Sequence, residues 1–207
     1  MRRSLPALLV AALCAVAAAV VWLVATRTGW GAAIDGRTLG GFAGLETPRV
    51  KRAAESVSAL VDPPGFAALA ALIVGVAVVR GRLGLAGVVA VVMLAANVTT
   101  QALKRGLPDV HSEIALGPGP GAWPSGHTTA AMVLALCAVL VAPARLRPFV
   151  AAAGGAFAIV VVYSILVLQH HYPSDIVGGY LVAGAWTALG VAVLNAPAVR
   201  ARAAVPG

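Results

Sequence analysis

Residues 125–144 read SGHTTAAMVLALCAVLVAPA, a short polar opening followed by a long apolar run without a charged side chain. A helix of about 20 apolar residues crosses the hydrocarbon core of a bilayer, so this stretch predicts a transmembrane helix that begins at a polar surface. Further apolar stretches lie on both sides of it, separated by short polar breaks. The six predicted spans are Leu5–Thr26, Pro64–Val79, Leu83–Leu103, Ser125–Ala144, Pro148–Leu168 and Ser174–Ala196. For the second and shortest of them, a re-entrant segment is the alternative.

The composition of the whole chain is typical of a membrane protein. Of the 207 residues, 60% are hydrophobic and 11% are charged, which is more apolar side chain than a soluble domain can bury. Glycine and alanine recur within the spans, and small residues let transmembrane helices approach closely. We therefore expect an all-α fold, a six-transmembrane-helix bundle without separable domains. The apolar run after Arg2 and Arg3 exceeds the roughly 7–15 residues of a signal-peptide core, so it is expected to be a retained anchor.

The charged residues sort by side when six helices are threaded from a cytoplasmic N-terminus. One side receives only arginines: Arg2, Arg3, Arg80, Arg82, Arg145, Arg147, Arg200 and Arg202. The other side receives the remaining cations together with every acid and histidine: Asp35, Glu46, Glu55, Asp62, Asp109, Glu113, Asp175, His111, His127, His170 and His171. Cytoplasmic loops are enriched in lysine and arginine, so the first side is expected to face the cytoplasm. Any chemistry would then be extracytoplasmic, at the cell membrane.

The formal net charge of +8 has a simple explanation in a membrane protein. Lysine and arginine in the loops set the orientation of the spans. No nucleic-acid partner is therefore expected.

Two longer outer loops are predicted, Arg27–Pro63 and Lys104–Pro124. In the first, apolar residues between positions 50 and 61 recur at helical spacing, which predicts a short amphipathic helix at the membrane interface. A plain extension of the second span is an equally good interpretation. The second loop contains GPGPG at residues 117–121, which cannot form a regular helix, so it is expected to be an irregular cap over the outer mouth of the bundle.

The polar opening of the fourth span suits a helix start that receives an anion. Ser125 is expected to cap the helix, and the free backbone N–H groups of its first turn lie at the positive end of the helix dipole, where phosphate groups bind. Gly126 lets a ligand oxygen approach the backbone, and His127 would stand beside the bound group as a proton donor. The alternative is that Ser125 and His127 only cap an interfacial helix.

The break between the fifth and sixth spans holds a second candidate cluster, QHHYPSD at residues 169–175. Asp175, four residues after His171, can hydrogen-bond one ring nitrogen and leave the other as a nucleophile. A polar interfacial turn, with Asp175 as a first-turn helix acid, is the alternative. Metal binding is a third use of such residues, but spacings such as His-Glu-x-x-His are absent. Neither a metal nor another cofactor is expected.

Cations and amide side chains at the end of the third span are candidates for the same site. Lys104 and Arg105 either balance phosphate charge or anchor the helix end among the headgroups. Polar residues within a span usually face the bundle interior. Asn97, Thr100 and Gln101 are therefore expected to line the floor of the site or to bond to neighbouring helices.

At these residues the chain resembles the PAP2 (type 2 phosphatidic acid phosphatase) superfamily, which carries the motifs Lys-x6-Arg-Pro, Pro-Ser-Gly-His and Ser-Arg-x5-His-x3-Asp. Residues 124–127 match the second motif in full. Ser164, His171 and Asp175 match the third, and its spacing selects His171 over His170.

The chain departs from the family pattern at positions that hold phosphate. Ile165 stands where the third motif has arginine. In the first motif, Thr100 stands in place of the lysine and Leu107 in place of the arginine. These departures support an alternative to catalysis, a weak or inactive relative that binds a lipid phosphate or scaffolds partners in the membrane. A transporter is less favoured, because no span carries a charge in its middle.

The resemblance covers roughly residues 64–197, which would form a five-helix catalytic core. Residues 1–63 would be an N-terminal transmembrane anchor with an outer loop, and residues 198–207 a short cytoplasmic tail. The substrate that the resemblance implies is a membrane lipid phosphate or polyprenyl diphosphate, hydrolysed without a metal.

The resemblance also implies roles for individual residues. The catalytic residues would be His171 as the attacking group, His127 as the proton donor and Asp175 as the partner of His171. The phosphoryl oxygens would be bound by Lys104, Arg105, Ser125 and Gly126.

Overall fold

The structure is a computed structural model that describes residues 4–107 and 122–196. Its helices are α1 (Leu5–Arg27), α2 (Gly29–Ala43), α3 (Pro48–Ala59), α4 (Pro63–Val79), α5 (Leu83–Gly106), α6 (Gly126–Val141), α7 (Arg147–Val167) and α8 (Pro173–Leu194), with a short 3-10 turn, Ala144–Leu146, before α7. The described residues contain no strand, and the all-α prediction is confirmed.

Each predicted span corresponds to a helix, namely α1, α4, α5, α6, α7 and α8. Four helical segments are long and apolar enough to cross a membrane: α1, α5, α8, and α7 together with the turn before it. Helices α3 and α4 pass the same test only as a pair, bent by 51° at a short break, and α6 is a shorter apolar helix of 16 residues. The chain is thus a multi-pass membrane protein, and its sixth span stays a prediction.

The segment between α1 and α4 is more helical than expected. The predicted amphipathic helix is α3, and the 51° bend between α3 and α4 shows that it is not a straight extension of the second span. Helix α2 was not predicted, because its sequence contains five glycines, which are poor helix formers. Tertiary contacts compensate, since Leu39 of α2 is buried against Ile165 of α7 and Ile176 of α8.

The main core lies among α4 to α8. Fully buried residues from all five helices meet there, including Ala77 of α4, Val89 of α5, Ala131 of α6, Val161 of α7 and Ala183 of α8. Helix α1 lies at the edge and packs along α8, and its buried residues are alanines at intervals of seven, Ala11, Ala18 and Ala25. Its leucines remain exposed, as is usual for side chains that face lipid.

Two arginines hold the end of α6 that is remote from its polar opening. Nη1 of Arg80 donates to the carbonyl oxygen of Val141 at 3.1 Å, and Nε of Arg147 donates to that of Ala142 at 3.3 Å. Cations at a helix C-terminus satisfy free carbonyls and complement the helix dipole. The short helix α6 is therefore fixed at this end by α4 and α7.

Two sequence predictions fall wholly or largely outside the described residues. The irregular cap predicted for the second outer loop lies mostly within residues 108–121, and the predicted tail is residues 198–207.

Candidate active site

The polar opening of α6 is fixed by its own cap and by α8. Ser125 is the N-cap, and its Oγ accepts the backbone N–H of Thr128 at 3.2 Å. The backbone N–H of Ser125 donates to the carbonyl oxygen of Asp175 at 2.9 Å. The start of α6 is thereby tied to the first turn of α8, and the two candidate motifs meet.

A close crossing of α6 and α8 strengthens this junction. A Cβ on Gly179 would lie 2.8 Å from the carbonyl oxygen of Ser125 and 2.9 Å from Cβ of Thr128, so the approach requires glycine there. The hydroxyl of Thr129 donates to the carbonyl oxygen of Ser125 at 2.9 Å. Thr100 of α5, fully buried, lies 3.1 Å from the same hydroxyl. The backbone of the first turn of α6 is therefore held in one position by three helices.

His171 and Asp175 form a buried pair beside this turn. Nδ1 of His171 lies 3.2 Å from Oδ2 of Asp175, and the two side chains are only 7% and 2% exposed. The same carboxylate oxygen accepts the backbone N–H of Tyr172 at 2.8 Å. Burial lowers the pKa of His171 below its ordinary value, although Asp175 opposes this shift. A neutral His171 that donates from Nδ1 to Asp175 has its Nε2 lone pair available for attack.

His127 stands opposite this pair. Its ring centroid is 6.2 Å from that of His171 and 6.5 Å from that of the exposed His170. Nε2 of His127 lies 3.2 Å from Oδ1 of Asp62, the N-cap residue of α4. Sequence reasoning missed Asp62. The available signal was its position directly before the second predicted span, at the same predicted level as the other candidate residues.

Lys104 reaches the first turn of α6. A Cβ on Gly126 would lie 4.0 Å from Nζ of Lys104 and 3.9 Å from Nε2 of Gln101. The charge of Lys104 also acts on His171, whose pKa it lowers. Lys104 follows Thr100 by four residues, about one helical turn. It therefore lies on the same face of α5 as the position that has lysine in the family motif.

The other predicted cation and the remaining polar residues of α5 behave differently. Arg105 is exposed and forms no hydrogen bond or ion pair with any residue that the structure describes. The amide of Asn97 donates to a carbonyl oxygen of its own helix, that of Met93, at 2.9 Å. Of the three polar residues expected to line the site or bridge helices, Thr100 bonds to α6 and Gln101 lies near Gly126.

Ile165 occupies its position as part of an apolar cluster. It is fully buried with Leu39, Leu166, Tyr172 and Ile176. The arginine of the third family motif therefore has no counterpart in this cluster.

A second acid missed by the sequence reasoning holds the start of α8. Asp35 of α2, which is buried, accepts the backbone N–H of Ser174 at 3.0 Å and its hydroxyl at 2.5 Å. The carboxylate thus satisfies a free N–H group of the first helical turn. Helix α2 thereby fixes the residue that precedes Asp175.

The described residues contain no cluster of typical metal ligands. No three histidine, cysteine, aspartate or glutamate side chains there come together as metal ligands would. The described side chains form two His-Asp pairs, and Lys104 lies near the N-terminus of α6. This arrangement is suited to nucleophilic attack and proton transfer on a bound anion.

The fold of the chain is similar to that of a known protein. Among solved structures, the chain is similar to one described as the "Crystal structure of the first transmembrane PAP2 type phosphatidylglycerolphosphate phosphatase from Bacillus subtilis". The TM-score is 0.64 at 19% identity, over 92% of this chain and 94% of that chain, which shows a common fold. A search of curated proteins finds no match.

The family model of the PAP2 superfamily matches residues 81–197. The match begins after α4, so α1 to α4 lie outside it. It covers more than half of the chain and contains Lys104, His127, His171 and Asp175. The chain therefore belongs to the PAP2 superfamily.

Proposed function

We propose that this protein is an integral membrane phosphatase that hydrolyses a lipid phosphate or a polyprenyl diphosphate through a phosphohistidine at His171. The observation that carries the proposal is the buried contact between His171 and Asp175, 3.2 Å long, beside the N-terminus of α6. Burial of the pair favours a neutral imidazole, and the carboxylate fixes its tautomer. A nucleophile oriented by a second group is the usual arrangement for covalent catalysis.

In the first step, Nε2 of His171 attacks phosphorus and the bond from phosphorus to the leaving oxygen breaks. His127, protonated, transfers a proton to that oxygen, so the product leaves as an alcohol or a phosphate. The imidazolium formed at His171 is stabilised by Asp175.

In the second step, water attacks the phosphohistidine. His127, now neutral, takes a proton from the water as the new phosphorus–oxygen bond forms. The phosphorus–nitrogen bond breaks, its electrons return to Nε2 of His171, and inorganic phosphate leaves.

Phosphoryl oxygens are bound by Lys104 and by the backbone N–H groups of Gly126 and His127. Such preorganised donors supply most of the catalysis in phosphoryl transfer. Ser125 keeps the backbone of this turn in position. Arg105 is assigned to a supporting electrostatic role at the mouth of the site.

The lipid nature of the substrate is supported by the membrane-spanning helices around the site. A lipid tail can stay in the bilayer while its headgroup reaches the polar ends of α5, α6 and α8. The positive-inside pattern supports a cytoplasmic N-terminus and a site on the outer face of the cell membrane. A cysteine replacing the exposed Ser56 of α3 tests this orientation, because an impermeant thiol reagent added outside intact cells should label it.

The proposal is tested with purified protein in detergent. Release of phosphate is measured from phosphatidic acid, phosphatidylglycerol phosphate and undecaprenyl diphosphate, with His171→Ala and the matched control His170→Ala. We expect His171→Ala to abolish turnover and His170→Ala to retain most of it. Equal release by wild type and His171→Ala would mean that the nucleophile is misassigned or that the protein is no phosphatase.

One observation favours a second candidate function, a weak or inactive relative that binds a lipid phosphate or scaffolds partners. The position of the third-motif arginine is filled by Ile165, fully buried in an apolar cluster. Each charge-assisted hydrogen bond to phosphate contributes about 1.5–3 kcal/mol, so its loss weakens the binding of phosphate. Saturable binding of phosphatidic acid without phosphate release from any of the three substrates would favour this function.

A further inference from the structure

Asp62 stands at the corner between α3 and α4, and its side chain does not cap its own helix. Aspartate at an N-cap ordinarily accepts an N–H group of the first helical turn. Here the next two residues are Pro63 and Pro64, which have no N–H to donate, and the structure shows no side-chain capping bond for Asp62. Its carboxylate is instead directed to His127, with Oδ1 3.2 Å from Nε2.

The corner that carries Asp62 is sterically fixed. A Cβ on Gly65 would lie 2.5 Å from the carbonyl oxygen of Leu60 and 2.7 Å from that of Ala59. The chain folds back tightly at this point, and the two helices meet at 51°. The carboxylate is thus held by rigid backbone rather than by a flexible loop.

Several charged or titratable side chains face His127. Asp62 approaches from the corner before α4, and His170 and His171 approach from the turn before α8. Asp175 is engaged by His171. In the part of the chain that the structure describes, Asp62 is therefore the carboxylate paired with His127.

The two histidines thus have separate carboxylates in different surroundings. The His171–Asp175 pair is almost fully buried, whereas the side chains of His127 and Asp62 are 26% and 51% exposed. An opposite charge favours the protonated imidazole, and burial disfavours it. The two histidines therefore differ both in exposure and in the carboxylate that each one contacts.

We propose that Asp62 is a positioning residue that orients His127 and stabilises its imidazolium for proton transfer to the leaving oxygen. This inference rests on the phosphatase function proposed above. The imidazolium has two N–H groups, and Asp62 accepts from the one on Nε2. The proton on Nδ1 is then the one transferred as the phosphorus–oxygen bond breaks, and it is regained from water when the phosphohistidine is hydrolysed. Asp62 stays ionised throughout.

The test compares substrates that differ in their need for a proton. The leaving alcohol of phosphatidic acid must be protonated, whereas p-nitrophenolate leaves from p-nitrophenyl phosphate without help. An adjacent opposite charge changes proton affinity by about tenfold or more, so Asp62→Asn should lower kcat/KM about tenfold with phosphatidic acid. With p-nitrophenyl phosphate, kcat/KM should stay within about twofold of wild type, because kcat/KM reports the steps up to departure of the leaving group and general acid catalysis contributes little there.

Controls separate this role from a structural one. Glu55→Gln removes another exposed carboxylate, from α3, and should leave both rates unchanged. Asp62→Glu should recover part of the phosphatidic acid rate. In a His127→Gln background, Asp62→Asn should cause no further loss. Equal losses on both substrates, or full additivity with His127→Gln, would overturn the proposal.

A second measurement needs no variant of Asp62 to fold. In wild-type protein labelled with 15N-histidine, the signals of His127 are assigned by their absence from His127→Gln. We expect Nε2 to carry a proton at neutral pH, and an unprotonated Nε2 would refute the contact. If wild type releases no phosphate, the proposed function fails and the role of Asp62 fails with it. If Asp62→Asn turns over phosphatidic acid as fast as wild type, the role of Asp62 is rejected and the phosphatase function is not.

Discussion

The crossing of α6 and α8 at Gly179 makes a prediction about both stability and activity. In Gly179→Ala the added Cβ would lie 2.8 Å from the carbonyl oxygen of Ser125, 2.9 Å from Cβ of Thr128 and 3.1 Å from the backbone nitrogen of Thr129. None of these atoms can rotate away, so the helices must separate. Overpacking of this kind costs about 1–3 kcal/mol, and alanine regains about 1 kcal/mol of helix propensity. With three rigid contacts we expect a net loss of about 2 kcal/mol.

Two matched variants separate the effects. At Gly155 of α7 an added Cβ would meet no atom within 4 Å, so Gly155→Ala should be neutral or stabilising. At Gly154 an added Cβ would lie 2.8 Å from Cβ of Ala135, a clash between α7 and α6 about two turns from the polar opening. Gly154→Ala should therefore lose stability without displacing the candidate site.

Two quantities are measured: the melting temperature in detergent and the rate of phosphate release. In a chain of this size a loss of 1 kcal/mol lowers the melting temperature by about 2–4 °C. A displacement of about 1 Å at a reacting group can cost about a hundredfold in rate. We expect that loss in Gly179→Ala only, when each variant is assayed well below its melting temperature. If Gly179→Ala has the same melting temperature as Gly155→Ala, the predicted clash is absent. If Gly154→Ala loses as much activity as Gly179→Ala, the crossing does not control the site.

Four further substitutions test individual contacts. Asp175→Asn should lower kcat by at least a hundredfold, since the orienting partner is lost. In the wild type, kcat/KM should fall at acidic pH, below about 6.5, as His171 becomes protonated. Because the carboxylate raises the pKa of His171, this acid limb should move to lower pH in Asp175→Asn. Lys104→Met should raise KM and move the same limb to higher pH, because the lysine charge lowers that pKa; an unmoved limb in both variants would show that it does not report His171. Ile165→Arg should destabilise the protein by several kcal/mol in a denaturation assay, since a cation enters a fully buried apolar cluster, and a stable, more active variant would contradict this. Asp35→Asn weakens the capping of α8 and should cost about 1–3 kcal/mol in the same assay, with wild-type stability as the contrary result.

Local sequence patterns were enough to predict most of the helices. Apolar length located α1 and the five helices from α4 onward, and the spacing of His171 and Asp175 predicted a contact that the structure has, although the pair spans the start of α8. The N-cap role of Ser125 followed from residue type and is observed. Such features depend on neighbours within about one helical turn.

Features that depend on distant partners were not predictable in this way. Helix α2 has a glycine-rich sequence that disfavours helix, and Asp35 gains its role through Ser174, which lies 139 residues away. Asp62 meets His127 only because α4 packs on α6. Lys104 is intermediate, since helical periodicity places it one turn beyond Thr100 but cannot show that its amine reaches Gly126. The roles assigned to these side chains stay predictions.

The shortness of α6 has a consequence for how deep the site lies. Sixteen residues at 1.5 Å each give a helix about 24 Å long, whereas the hydrocarbon core is about 30 Å thick. Its remote end is fixed by Arg80 and Arg147, cations that favour the level of the headgroups. Taken as a span, α6 would then place His127 about 6 Å below the opposite headgroup plane. A lipid would present its phosphate by sinking slightly into a recess, with its tail never leaving the bilayer, whereas a water-soluble phosphate would have to enter that recess without an anchor.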